Sequence, residues 1–65
     1  MQGGENMEGL RKKRKDKGIT QMQAAKDLNL ATQTYRNYEY GEREPKLETL
    51  KEMAKYFDCS VDELL

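Results

Sequence analysis

The chain has 65 residues, 35% apolar and 37% charged, enough for one small core with little left for a second apolar surface. With a lone Cys59, no histidine, no run long enough to span a bilayer and no signal-peptide pattern, it reads as a cytoplasmic protein without disulfide, metal or cofactor. The net charge is zero but uneven: residues 10–43 carry nine cations against four anions, whereas residues 44–65 carry six anions against three cations.

Residues 1–6, with Gly3 and Gly4 adjacent, read as a flexible lead-in to a domain covering 7–65. Asn6 is the expected N-cap of a first helix that runs to about Lys17 and is stopped by Gly18. Gly9 weakens its early turns by about 1 kcal/mol relative to alanine. Met7 is expected against the core. Arg11 to Lys17 is a basic run, which suits either phosphates or a solvated helix face.

Thr20-Gln21-Met22-Gln23 is a capping-box pattern, in which Thr20 caps the Gln23 amide and the Gln23 side chain reaches back. The second helix is expected to reach Leu28, with Ala24, Ala25 and Leu28 on one side and Met22 exposed. Asn29 suits a left-handed stop. A third helix is expected over Thr32 to Tyr40, ending at Gly41. Pro45 disfavours helical geometry at Glu44, so 42–45 form a polar loop.

Leu47, Leu50, Met53, Ala54 and Phe57 recur at spacings of three and four, the apolar stripe of a fourth helix. Cys59 is expected to be a small buried apolar residue. Ser60-Val61-Asp62-Glu63 is a second capping box, opening a short fifth helix that turns Leu64 and Leu65 inward. No segment reads as a strand.

Helix, short turn, helix, with small Ala25 at the crossing, is the layout of a DNA-reading unit. The ordered set Leu10, Arg14, Lys17-Gly18-Ile19-Thr20-Gln21, Ala25, Leu28, Tyr38-Glu39, Gly41, Pro45, Leu47-Glu48-Thr49-Leu50, Ala54 and Ser60-Val61-Asp62-Glu63-Leu64-Leu65 resembles the phage-repressor and Cro type of helix-turn-helix domain, the XRE family. The resemblance implies an all-α fold, a lambda-repressor-like bundle of five short helices whose third helix lies in the major groove. It implies base reading by Thr32, Gln33, Arg36 and Asn37, since glutamine and asparagine complement adenine and arginine complements guanine. Phosphate contacts are implied for Gln21, Tyr40 and Arg43, with a solvated loop role as the alternative for Arg43. Arg14 and Glu39 match a structural ion pair that orients the reading helix.

The sequence departs from the family pattern at five places. Lys13 and Ala24 stand where larger apolar residues are usual, and Tyr35 replaces an isoleucine or valine. Tyr35 is expected to fill the space left by Ala24, its hydroxyl emerging at the surface. Ala31 and Lys46 replace side-chain caps, with Thr32 available as a substitute cap for the third helix.

The function expected from these features is sequence-specific binding of double-stranded DNA by a homodimer on an inverted repeat, as a repressor of a phage, mobile element or toxin–antitoxin operon, located with the nucleoid. The alternative is a protein-interaction module that keeps the fold without reading DNA, a reading to which Met22 and Ala31 lend weight. An enzyme is not expected, because there is no nucleophile paired with a base and no glycine-rich phosphate loop. The chain reads equally as a complete small regulator or as the N-terminal domain of a longer one.

Overall fold

The computed structural model describes residues 7–65; the lead-in 1–6 and its Asn6 cap lie outside the described residues. Five helices follow one another: α1 (Glu8–Lys17), α2 (Gln21–Asp27), α3 (Thr32–Tyr40), α4 (Leu47–Phe57) and α5 (Val61–Leu64), with no strand among the described residues. The N-cap position of α1 is Met7, which makes no side-chain cap and is buried in the core.

Helices α1 to α4 each end at or just before a left-handed residue. Gly18 (φ 76°) returns its N–H to the Arg14 and Lys15 carbonyls, and Gly41 (φ 77°) ends α3 in the same way. Asn29 (φ 61°) lies in the turn after α2, where the Leu30 N–H reaches back to the Ala25 carbonyl at 2.8 Å. Asp58 (φ 56°) does the same work after α4, a position where aspartate tolerates the left-handed region better than most residues.

At the helix starts the two capping boxes part company. Ser60 accepts from the Glu63 N–H while the Glu63 carboxylate accepts from the Ser60 N–H, so both halves are present. Thr20 accepts from the Gln23 N–H at 3.0 Å, but the Gln23 side chain turns away and donates to Asp27 Oδ1 at 2.8 Å. An acceptor one turn ahead competes successfully with the exposed cap amide. α2 also ends one residue earlier than expected, with Leu28 as its cap.

The core is built around the fully buried Leu10, Tyr35, Met53 and Leu64, joined by Ala24, Ala25, Tyr38, Ala54 and Phe57. α2 packs most extensively on α3, and α5 closes against both α1 and α4. Three expectations about side chains are corrected here. Leu65 is 63% exposed, because α5 is one turn long and only Leu64 points inward. Leu47 is 61% exposed, since it opens α4 beyond the edge of the core. Cys59 is half-buried rather than buried.

The fourth correction concerns Tyr35. Its ring is wholly enclosed, and its hydroxyl does not emerge but is buried without a hydrogen bond. Desolvation, and then the nearby Glu39 carboxylate, push its pKa well above the ordinary tyrosine value. The hydroxyl thus stays protonated and carries the cost of an unmet polar group.

Gly9 turns out to be a contact residue. A Cβ at this position would lie 2.0 Å from the Glu63 carbonyl oxygen and 2.7 Å from the Leu64 carbonyl carbon. The helix propensity lost at Gly9 is therefore offset by a close backbone approach of α1 to α5.

Candidate nucleic-acid interface

Alternation within α3 divides its side chains between core and surface. Tyr35, Tyr38 and Glu39 are buried, Gln33, Arg36 and Tyr40 are exposed, and Thr32 and Asn37 are half-buried at the margin. The helix therefore presents a polar outer face on a base that cannot rotate without exposing two aromatic rings. Its N-cap, Ala31, makes no side-chain hydrogen bond, and Thr32 is the first helical residue rather than a substitute cap.

Under this helix lies a buried polar clamp. Arg14 Nε donates to Glu39 Oε2 at 2.7 Å and Arg14 Nη2 to Glu39 Oε1 at 3.4 Å, a two-point contact. A third donor, Arg14 Nη1, reaches the Ile19 carbonyl at 2.9 Å, tying the pair to the α1–α2 turn. The Glu39 side chain is fully buried and that of Arg14 is 12% exposed. Burial alone would raise the Glu39 pKa, but the hydrogen bond from Arg14, with help from that of Gln21, outweighs it and holds the value below the usual glutamate range. The same hydrogen bond raises the Arg14 pKa against desolvation. Both groups are ionised at neutral pH.

Gln21 joins this clamp. Its Nε2 donates to Glu39 Oε1 at 3.0 Å and lies 3.4 Å from the Tyr40 hydroxyl, so the side-chain donor expected for a phosphate is engaged inside the protein. The backbone N–H of Gln21, in the first turn of α2, has no acceptor within its own helix and remains suited to an anion. Gln21 and then Arg36 lower the Tyr40 pKa. The structure thus brings Gln21, Arg36 and Tyr40 together at the end of α3, while Arg43 stands apart, exposed in the loop before α4. On α1, Arg11 and Glu8 border Glu39 and Tyr40 across a shallow dent of about 90 Å³. Lys12 and Asp16 form an exposed pair at 3.7 Å.

Two tethers were not legible beforehand. The Tyr56 hydroxyl on α4 donates to Asp27 Oδ2 at 2.5 Å, and the Lys17 ammonium sits 5.0 Å from the centre of the Tyr56 ring. Burial and then Asp27 push the Tyr56 pKa up to about 12, and the bonds from Tyr56 and Gln23 lower that of Asp27. α2 is consequently fastened at both ends, to α3 through Gln21 and to α4 through Asp27. Tyr56 lies just off the apolar stripe of α4, and only that position hinted at it. The second tether is Lys13, whose ammonium meets Glu63 Oε1 at 3.1 Å and so fits a position where the pattern favours an apolar side chain. No group of His, Cys, Asp and Glu among the described residues could hold a metal.

The helix-turn-helix family profile matches residues 10–64, from the buried Leu10 of α1 to the buried Leu64 of α5. The chain belongs to the helix-turn-helix family. It is 42% identical over 60 residues to the HTH-type transcriptional regulator AnsR of Bacillus subtilis, covering 92% of this chain and 52% of that protein. It is 41% identical over 58 residues to the uncharacterized HTH-type transcriptional regulator YqaE of the same organism, covering 89% and 50%. The cryptic phage CTXphi transcriptional repressor RstR of Vibrio cholerae is 32% identical over 56 residues, covering 86% and 50%. The chain spans about half the length of these curated relatives. No solved structure matches it. The helix-turn-helix unit proper is α2, the turn 28–31 and α3.

Proposed function

We propose that this helix-turn-helix chain binds double-stranded DNA sequence-specifically as a transcriptional regulator, with α3 in the major groove. The observation that carries the reading is the clamp of Arg14, Glu39 and Gln21, which fixes α3 from beneath while its outer face offers Gln33 and Arg36 to base edges. Thr32 and Asn37 flank that face. The backbone N–H of Gln21, with Tyr40 and Arg43, would contact phosphates, and the cations of residues 10–43 supply the attraction.

The names of the relatives support regulation, and a phage repressor among them supports repression as its sign. A homodimer on an inverted repeat is the arrangement we infer, because two copies related by a two-fold axis bring two reading helices to adjacent turns of the duplex. A protein with this task works in the cytoplasm at the nucleoid. No helix among the described residues is long and apolar enough to cross a membrane.

One observation favours a second reading, a protein-interaction module. Met22 is 67% exposed and borders an open depression with Leu30 and Ala31 beside the start of α3. Selection of binders from random duplex DNA, at low and near-physiological salt, separates the two. DNA reading predicts a palindromic motif with half-sites about one helical turn apart and affinity that falls steeply with salt. Enrichment of nothing at either salt would replace it by the interaction module.

A further inference from the structure

Gln33 and Asn37 lie one helical turn apart on α3, and they touch: Gln33 Nε2 donates to Asn37 Oδ1 at 2.9 Å. We propose that Asn37 is a positioning residue that holds Gln33 ready to recognise adenine, rather than an independent reader of a second base. The proposal rests on the DNA-reading function and assigns within it which side chain reads and which base it takes.

A primary amide has two hydrogens and one carbonyl oxygen. With one hydrogen of Gln33 engaged by Asn37, the other hydrogen and Oε1 remain side by side as one donor and one acceptor. Adenine presents the complement in the major groove, an acceptor at N7 and an amino donor at N6. Guanine presents two acceptors, N7 and O6, and the restrained amide has a single donor left for them. The contact thus favours adenine by satisfying both groups and disfavours guanine by setting Oε1 against O6.

The anchor is the more enclosed partner of the two. The Asn37 backbone belongs to the left-handed stop of α3, where its carbonyl accepts the Glu42 N–H at 2.9 Å, and its side chain is half-buried. Gln33 is exposed and, without a partner, would lose rotamer freedom on docking. Restraining it beforehand moves that cost from binding to folding.

The test uses the 65-residue chain and the duplex it selects, with each adenine of the half-site replaced in turn by 7-deazaadenine, which lacks the N7 acceptor. At one adenine the wild type is expected to lose about fivefold or more in affinity. Gln33→Ala removes that loss entirely, and Asn37→Ala reduces it to less than about twofold with the salt dependence of binding unchanged. An Asn37 with a merely structural role would weaken binding to every duplex alike and leave the 7-deazaadenine ratio intact, which overturns the proposal. Loss of preference at a separate base pair in Asn37→Ala, with the adenine ratio intact, overturns it too. Insensitivity of the wild type to 7-deazaadenine at every adenine does so without any variant, so a fold damaged by substitution cannot decide the matter. Failure of the wild type to enrich any duplex would instead remove the DNA-reading function on which the proposal stands.

Discussion

Two of the seams of α1, those with α5 and α3, are held by opposite means. Against α5 the contact is one of shape: Gly9 lets backbone approach backbone, Leu64 fills the gap below, and the Lys13–Glu63 pair lies partly in water. Against α3 the contact is one of direction: a two-point guanidinium–carboxylate pair, out of water, with a third bond to a backbone carbonyl and a fourth from Gln21. Shape complementarity secures adhesion and tolerates small rotations. A buried ion pair adds little net stability because desolvation offsets its attraction, but it admits few geometries. The directional seam lies under the helix whose outer face we propose meets base edges, and the shape-based one lies away from it.

Breaking the directional seam is expected to have the largest effect. Arg14→Ala leaves a buried carboxylate without its partner and should cost about 3–5 kcal/mol, read as a fall in the urea midpoint. A domain of this size has little stability to spare, so much of the chain would be unfolded and DNA affinity would fall with it. Acid reaches the same seam. The Glu39 pKa is lowered in the folded state, so its contribution is present above the ordinary glutamate value and is lost as pH falls through the lower folded value. Glu39→Gln should therefore flatten part of the acid limb of a stability-against-pH curve, and an unchanged limb would contradict the ion-pair assignment.

The shape-based seam breaks next. Gly9→Ala gains about 1 kcal/mol in helix propensity but sets a methyl on the Glu63 carbonyl, and a net loss of about 3 kcal/mol is expected by thermal or urea unfolding. Net stabilisation would mean that α5 does not sit where it is described.

A gain rather than a loss is expected at Tyr35, which lies inside α3 next to the directional seam. Tyr35→Phe removes a buried hydroxyl without a hydrogen bond and should raise stability by about 1 kcal/mol while leaving α3 in place. The smallest effect is expected from Lys13→Met. It trades a partly exposed ion pair for apolar contact, and it should shift the midpoint less than any of the others while softening its salt dependence.

Much of this domain was legible from the chain alone. Gly18, Asn29 and Gly41 mark helix ends because few other residues adopt a positive φ, and the stripe from Leu50 to Phe57 marks a buried face because apolar spacing follows the helical repeat. The Arg14–Glu39 pair was visible only through the family pattern, since residues 25 apart in sequence carry no mark of being neighbours. The outer face of α3 was readable as a polar face, whereas the hydrogen bond that joins Gln33 to Asn37 was not, because one-turn spacing permits such a bond without requiring it.

The sequence by itself determined to within a residue where the helices begin and end, which face of α4 is buried and that α2 and α3 form a helix-turn-helix, all consequences of local backbone preference and periodic burial. Tertiary structure alone decided the partners. It turned Asp27 to Tyr56, gave Lys13 the carboxylate of Glu63, enclosed the Tyr35 hydroxyl and set Gly9 against α5. Each of these outcomes depends on which atoms arrive from a distant segment, and a local rule holds no information about that.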